Sequence, residues 1–383
     1  MKFLTAIVGL FLLQCINGRG HVDPPAPVFE GSVPVFFKGL NYPGLGKSVN
    51  CFRIPTIIKT SSNVLLAFSE NRTKSCHDHV GEHAIVLRRS LDHGETWGPL
   101  ILVAKDLKPP CPKCPKVPSN PNSVEITTAD GRRAILIHYD TMNSPLHQPG
   151  LDHGLDVQKI SYDDGQTWSD PEPLIFVGAS KEKNYGALIG PSNGIFNKKT
   201  NRIYFSAHKG KRNGGFLYFS KDDRKTWEMS KTIHGMNECS IAFLNQKDPS
   251  DVLMNCRTGA SKGRAQLIFS EDGVLKNLTY PPGLHVDPGC QGSVVSDTYR
   301  ENVLYTSNAN DQTTRQNMTV KITTDSAKTW RVYKQIYSGP SGYSQLVQLN
   351  KTHMGLLFEC GLESDPKTFK QTISFVTFEI ANL

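Results

Sequence analysis

The sequence is poor in the features that would tie it to a membrane, a nucleic acid or a metal. After residue 13 no apolar run reaches the roughly 20 residues that a membrane-spanning helix requires, so no transmembrane segment is expected. Lys and Arg number 43 against 35 Asp and Glu, a formal charge of +8. No basic run gathers that excess. Scattered charge of this kind is an ordinary solvated surface, with a lesser role in attracting an anionic substrate, and no nucleic-acid partner is expected. Cys76-His77-Asp78-His79 and Cys111-Pro112-Lys113-Cys114 look like pieces of a metal site, but a second Cys-x-x-Cys or a His-x₃-His is missing. Zinc needs four converging donors, so the expectation is no metal and no other cofactor. A thioredoxin-like role needs a helix after Cys114, where Pro115 and Pro118 stand instead. Long helical periodicity is absent as well, which argues against α/β architectures.

The N-terminus and the cysteines speak to compartment. Met1-Lys2 precedes an almost wholly apolar Phe3 to Leu13, and Gly18 offers a small residue before polar sequence resumes. This reads as a signal peptide over residues 1–18, with one mature domain over 19–383. Of the nine cysteines, Cys15 lies in that leader; Cys51, Cys76, Cys111, Cys114, Cys239, Cys256, Cys290 and Cys360 remain. An even number in a secreted chain is expected to form disulfides, although eight cysteines allow 105 connectivities. Glycosylation sequons begin at Asn71, Asn277, Asn317 and Asn350.

Tryptophan is scarce, and its placement is informative. All four tryptophans end one pattern, approximately S-x-D-x-G-x-T-W: Ser90 to Trp97, Ser161 to Trp168, Ser220 to Trp227 and Thr323 to Trp330. The third copy has Arg224 in place of glycine, and the fourth is weaker at two positions. Each follows a short apolar strand such as Ala84 to Leu87 or Gly215 to Phe219. The aspartate can accept backbone N–H bonds and glycine tolerates positive φ, so each box predicts a hairpin turn with the indole covering it. A worn copy at Ser270-Glu271-Asp272-Gly273 divides the longest gap into intervals of 50 and 53 residues. A hairpin signal every 50 to 70 residues implies blades of about four strands, and the mature length then accommodates about six. The expected fold is all-β, a six-bladed β-propeller with Asp-box hairpins. The stretch Lys108 to Pro118, rich in Pro and Cys, is expected to be an inter-strand loop.

Before the first box stands Phe52-Arg53-Ile54-Pro55, an arginine in an apolar strand start beside proline. That motif and the boxes together resemble the sialidase (neuraminidase) superfamily over nearly the whole mature chain. Leu87-Arg88-Arg89-Ser90, Asn237-Glu238-Cys239 and Gly339-Pro340-Ser341-Gly342-Tyr343-Ser344 resemble its animal lysosomal branch. The resemblance implies an exo-α-sialidase that removes terminal sialic acid from sialylated glycans. It also implies a lysosomal or secreted location, and a partner protein of the kind lysosomal relatives can need.

Site residues follow from the same resemblance. Sialic acid carries a carboxylate at its anomeric carbon, which suits forked guanidinium donors; Arg53, Arg257 and Arg315 match the family's three arginines. Tyr343 matches the nucleophile and Glu238 its base. A neutral phenol avoids the repulsion that a carboxylate nucleophile would meet at a centre already bearing a carboxylate, but it needs a base to take its proton. Asp78 matches the general acid/base, Arg72 an arginine contacting the sugar ring, and Glu359 the acid that steadies Arg53. Asn193, in Gly190-Pro191-Ser192-Asn193-Gly194, is expected to line the pocket. The segment around Asp78 is about one residue longer than in the lysosomal branch. Two rival functions use the same scaffold: a non-catalytic sialic-acid-binding lectin and a trans-sialidase. The complete set of acid, base and nucleophile favours catalysis over the lectin.

Overall fold

Short runs of β-branched and aromatic residues, broken every few positions by Asn, Asp and Gly, can satisfy their backbone groups only by pairing with sequence neighbours. The chain does this throughout. The structure, a computed structural model, describes residues 24–40, 49–78, 81–105, 117–142, 156–177, 187–209, 214–259, 263–362, 364 and 368–380. The leader, His79, Cys111 and Cys114 lie outside the described residues. Among those residues there are 24 strands, β1 to β24, and no helix.

After β1 (Ser32–Phe37) the strands form antiparallel meanders in chain order. The first sheet contains β2 (Cys51–Lys59), β3 (Leu65–Arg72), β4 (His83–Ser90) and β5 (Ile101–Lys105). The second contains β6 (Val117–Thr127), β7 (Arg133–Met142), β8 (Asp156–Ser161) and β9 (Glu172–Pro173). In the third, β10 (Ala187–Ile189) and β11 (Ile195–Asn197) share β12 (Arg202–Lys209), followed by β13 (Gly214–Ser220) and β14 (Glu228–Met229). The fourth runs from β15 (Cys239–Phe243) through β16 (Asp251–Arg257) and β17 (Arg264–Ser270) to β18 (Leu275–Thr279). The fifth has seven strands: β19 (Ser293–Ser296), β20 (Leu304–Ala309), β21 (Gln316–Thr323), β22 (Arg331–Gln348), β23 (His353–Cys360), β24 (Thr372–Glu379) and then β1. The 18-residue β22 divides this sheet. Its first half pairs with β21, and its second half, from Ser341, pairs with β23.

Apolar side chains fill the spaces between successive sheets. One core joins Phe68, Ile85 and Leu87 of the first sheet to Ile135, Ile137 and Tyr139 of the second. Another joins the last sheet, through Phe36, Leu357 and Phe375, to Phe52, Ile57 and Leu65 of the first. Each large side chain buried in this way contributes about 1.5–3 kcal/mol.

The boxes form hairpin turns whose chemistry repeats. In the first, Asp92 Oδ1 accepts the Thr96 N–H at 2.9 Å, and Ser90 Oγ accepts the Gly94 N–H at 2.8 Å. The same bonds recur around Asp163, Asp222 and Asp325. Gly94 and Gly165 take φ of 97° and 80°; Arg224 and Ala327 hold the corresponding left-handed position at 71° and 65°. The worn copy turns as well, with Gly273 at φ 72°. The indoles differ from expectation in part. Trp168 does cover its own turn, donating Nε1–H to Gly165 O at 3.1 Å, but two others reach into the gap between sheets: Trp97 meets Phe375 edge-on, and Trp227, fully buried, meets His138 of the preceding sheet. An interior gap removes more of an indole from water than a hairpin surface could.

Candidate functional site

The chemistry-bearing residues gather where the innermost strands begin. Arg53 sits near the start of β2 with 4 % of its surface exposed. A guanidinium so placed must find a carboxylate, and Glu359 of β23, with no exposed surface, accepts from its Nε at 2.5 Å. Burial works against the charge of Arg53, but Glu359, Tyr343 and Asp78 outweigh it and raise its pKa further. Glu359 also accepts the N–H of Ile54 at 3.0 Å and that of Tyr343 at 3.1 Å. One carboxylate thus fixes Arg53 and two backbones. Ile54 has φ 58°, an unusual left-handed conformation for a β-branched residue, and it falls in the irregular β2–β3 register between Arg53 and Thr56. Gly342 is required beside it, because a Cβ there would meet Glu359 Oε2 at 2.4 Å.

Tyr343, in the second half of β22, is 7 % exposed. Its hydroxyl donates to Glu238 Oε1, while Arg257 Nη1 donates to the other oxygen of the same carboxylate at 2.6 Å. Burial pushes the Glu238 carboxyl up, but Arg257, His208 and the Tyr343 hydrogen bond together hold it below its ordinary value. Burial, reinforced by Glu238, drives the Tyr343 phenol well above 10 against the pull of Arg257 and Arg315. A phenol of that kind gives up its proton only to a base, and the Glu238 carboxylate already accepts its hydrogen bond. Glu238 and Arg257 flank the paired Cys239 and Cys256, which are joined by a disulfide, so this cross-strand pair is covalently braced.

Arg315 immediately precedes β21, with its Cζ 5.5 Å from the Tyr343 ring and 5.0 Å from the Phe369 ring. Arg53 and Arg257 are each paired with a carboxylate. Arg315 makes no salt bridge among the described residues. Beneath Tyr343 the thiol of Cys290 packs with Ile54, and burial pushes it up to about 11.

Asp78 closes the other side. Its Oδ1 accepts from Arg72 Nη1 at 2.7 Å and lies 3.8 Å from Arg53 Nη1, with the side chain 60 % exposed. Arg72 is held rigidly: its Nε and Nη2 donate to Glu70 at 2.9 and 2.6 Å, and Glu70 also accepts the Asn120 N–H at 2.8 Å. The Cys51–Cys76 disulfide ties down the segment two residues before Asp78.

Arg53, Arg72, Asp78, Glu238, Arg257, Arg315, Tyr343 and Glu359 are therefore brought together, and Asn193 is not. Its Nδ2 donates to Ile57 O at 2.6 Å. It lines a separate cavity of about 270 Å³ with Lys59, Phe243 and Gln348, near the opposite ends of the strands from Arg53 and Tyr343. Asn193 is thus placed at that cavity and not beside Tyr343 and the arginines. The expectation that the cysteines all pair is corrected: Cys290 and Cys360 are buried free thiols. Cys76 is consumed by a disulfide, which removes it from any metal reading of Cys76-His77-Asp78-His79. Sequence reasoning missed Glu70, Phe369 and Lys370, which carry no motif, and the left-handed Ile54, because a residue before proline is ordinarily extended.

Asn71 has no exposed surface, so an oligosaccharyltransferase product there could not fold. A glycopeptide map of protein from a secretory host is expected to find Asn71 bare and Asn277 and Asn350, both exposed, glycosylated. Full occupancy at Asn71 would contradict this packing.

Consecutive antiparallel meanders, with a Tyr–Glu pair set among arginines at one end, define a protein of the sialidase class. The sequence matches the BNR repeat-like domain family over residues 82–356. A sialidase from Bacteroides fragilis is 27 % identical over 332 residues, covering 80 % of this chain and 60 % of that protein. One from Micromonospora viridifaciens is 26 % identical over 342 residues, covering 81 % and 50 %. Among solved structures, a Hadza microbial sialidase superimposes with a TM-score of 0.69 at 21 % identity, covering 86 % of this chain and 66 % of that one. The chain belongs to the BNR repeat-like family and to the sialidase superfamily, and it shares their β-propeller fold. It spans 50–60 % of the length of these curated relatives.

Proposed function

We propose that this protein is a retaining exo-α-sialidase acting on terminal sialic acid of glycoproteins, glycolipids and oligosaccharides. The observation that carries the reading is the buried Tyr343 hydroxyl donating to Glu238 between Arg53, Arg257 and Arg315. The three guanidinium groups receive the substrate carboxylate. As Glu238 takes the phenolic proton, Tyr343 Oη attacks the anomeric carbon, and Asp78 gives its proton to the departing glycosidic oxygen. Asp78 then takes a proton from water, whose oxygen displaces Tyr343, and Glu238 returns the proton to the phenolate. Two displacements retain configuration. Arg72 orients the sugar and Asp78, while Glu359 acts by positioning Arg53 and Tyr343.

The scaffold is read as a closed six-bladed propeller. Pairing of β1 with β24 and the apolar core joining the last sheet to the first support closure, with the two halves of β22 belonging to successive blades. The two disulfides support an oxidising compartment, in keeping with a secreted or lysosomal address.

The test is hydrolysis of a fluorogenic sialoside by the purified chain, with product analysis in the presence of lactose. Release of free sialic acid supports the reading. Transfer to lactose would indicate a trans-sialidase, and binding without turnover a lectin.

The pH profile is a second check. Glu238, held below the ordinary carboxylate value, remains an ionised base to a lower pH than an ordinary glutamate would. Its ionisation stabilises the fold above its unfolded pKa, and that stability is lost as pH falls through the lower folded value. Asp78 must be protonated to serve as the acid. Over pH 4 to 8, kcat/KM is thus expected to decline on the alkaline side without an acid limb. A flat profile would remove Asp78 from the acid role.

A further inference from the structure

Just before β24, Phe369 and Lys370 stand beside the site, and the reaction outlined above uses neither. The Phe369 ring lies 5.5 Å from Arg53 Cζ and 5.0 Å from Arg315 Cζ. Two glycines let this segment lie close: a Cβ on Gly342 would meet the Phe369 ring at 2.5 Å, and one on Gly361 would meet Thr368 O at 1.8 Å. The next residue, Lys370, has its Nζ 5.6 Å from the same ring. Its carbonyl oxygen lies 3.9 Å from Cys51 Sγ, and Cys51 is bridged to Cys76, two residues before Asp78. The charged groups around the Lys370 ammonium are Arg53, Glu359, Asp78 and Arg72. The two carboxylates among them are already paired with the arginines. Lys370 itself forms no salt bridge among the described residues.

A cation in this place is surplus to recognition of sialic acid. Three arginines already suit one carboxylate. Asp78 is the group that protonates the glycosidic oxygen, so its 60 % exposed side chain marks the border between sialic acid and the group to which it is attached. An ammonium on that border meets the aglycone. Within a half-buried mouth, an anionic group on the sugar next to the scissile bond would give Lys370 the partner that it lacks.

We propose that Lys370 is an anion-binding element of the aglycone subsite, and that the favoured substrates are sialosides whose next residue is itself anionic. The shared chemistry is a carboxylate or sulfate near the scissile bond, supplied by a second sialic acid or by a sulfated sugar. Phe369, whose ring lies 5.6 Å from Lys370 Nζ, forms the apolar wall beside it. The proposal rests on the sialidase reading and narrows its substrate class.

The experiment compares kcat/KM of the full chain for 3′-sialyllactose, an α2-8-linked disialyllactose and a 6-sulfated sialyl-N-acetyllactosamine, in parallel with Lys370→Gln and Lys370→Arg. The readout is the ratio of anionic to neutral aglycone, so any loss common to all substrates cancels. The expected ratio is about fivefold in the parent, the scale of one partly exposed ion pair, carried mainly in KM and eroded by salt. It should collapse towards one in Lys370→Gln and persist in Lys370→Arg. A ratio above one for both anions assigns charge recognition in general; a ratio above one for the disialyl substrate alone assigns the second sialic acid. A parent without preference, or a ratio unchanged in Lys370→Gln, overturns the proposal. Absence of hydrolysis on all three refutes the sialidase reading instead. The relative affinities of the same glycans then test Lys370 by calorimetry.

Discussion

Tyr343→Phe is expected to lower kcat for sialoside hydrolysis by about 10³-fold or more, with the fold intact. The substitution removes one oxygen and nothing else of the ring. Arg53 and Arg315, 5.3 and 5.5 Å from that ring, keep their neighbour. Glu238 loses the phenolic donor but retains Arg257 at 2.6 Å, so its carboxylate is not left unpaired. The stability cost is that of one hydrogen bond, about 1 kcal/mol. A variant that folds, binds a sialic-acid analogue and does not turn over would establish the covalent role. Activity within tenfold of the parent would sink it and leave Glu238 to act directly on water.

Glu359→Ala carries the largest expected loss of stability, about 3–5 kcal/mol by chemical denaturation. Three donors converge on this one carboxylate: Arg53 Nε, the Ile54 N–H and the Tyr343 N–H. With no exposed surface at position 359 and 4 % at Arg53, water cannot readily replace the lost charge. The left-handed Ile54, whose backbone costs about 1–3 kcal/mol, would lose its anchor as well. Glu359→Gln should fall between the parent and alanine, since an amide keeps one acceptor but sets its own N–H groups against donors. On the proposed mechanism, in which Arg53 receives the substrate and Tyr343 attacks it, both KM and kcat should worsen in the variants that still fold. A loss below about 1 kcal/mol in Glu359→Ala would mean that Arg53 finds another partner.

Much of the architecture is legible locally. The bonds of a box, from Ser90 to Thr96 for example, are made within one turn, so the Ser, Asp, Gly and Thr that make them stand within seven residues and can be read directly. The indole that ends the box does not follow this rule. Trp97 completes its packing against Phe375, a residue far away in sequence, so nothing in the pattern says whether it covers its own turn or a neighbour's gap. Cysteine pairing divides in the same way. Cys239 and Cys256 face each other across adjacent strands and join, whereas Cys290 and Cys360 are sealed apart in different cores.

For the candidate site, family motifs point to the residues that bear charge or chemistry, because such side chains stand out at strand starts such as Phe52-Arg53-Ile54-Pro55. They do not reveal which neighbours hold them. Glu70 fixes Arg72 and the Asn120 backbone at once, a convergence of separate strands that no spacing records. Asn193 illustrates the converse: a plausible pocket stretch, Gly190 to Gly194, carries its asparagine down to Ile57 and away from the arginines. Lys370 has no motif at all and gains its meaning from the disulfide-tied segment that it abuts. By itself, the amino-acid sequence determined the strands, the turns and the residue types available for chemistry, because these depend on interactions a few residues long. Tertiary structure alone decided which side chains meet at the mouth, which cysteines bond and where the indoles lie, because each depends on the register and packing of sheets far apart in the chain.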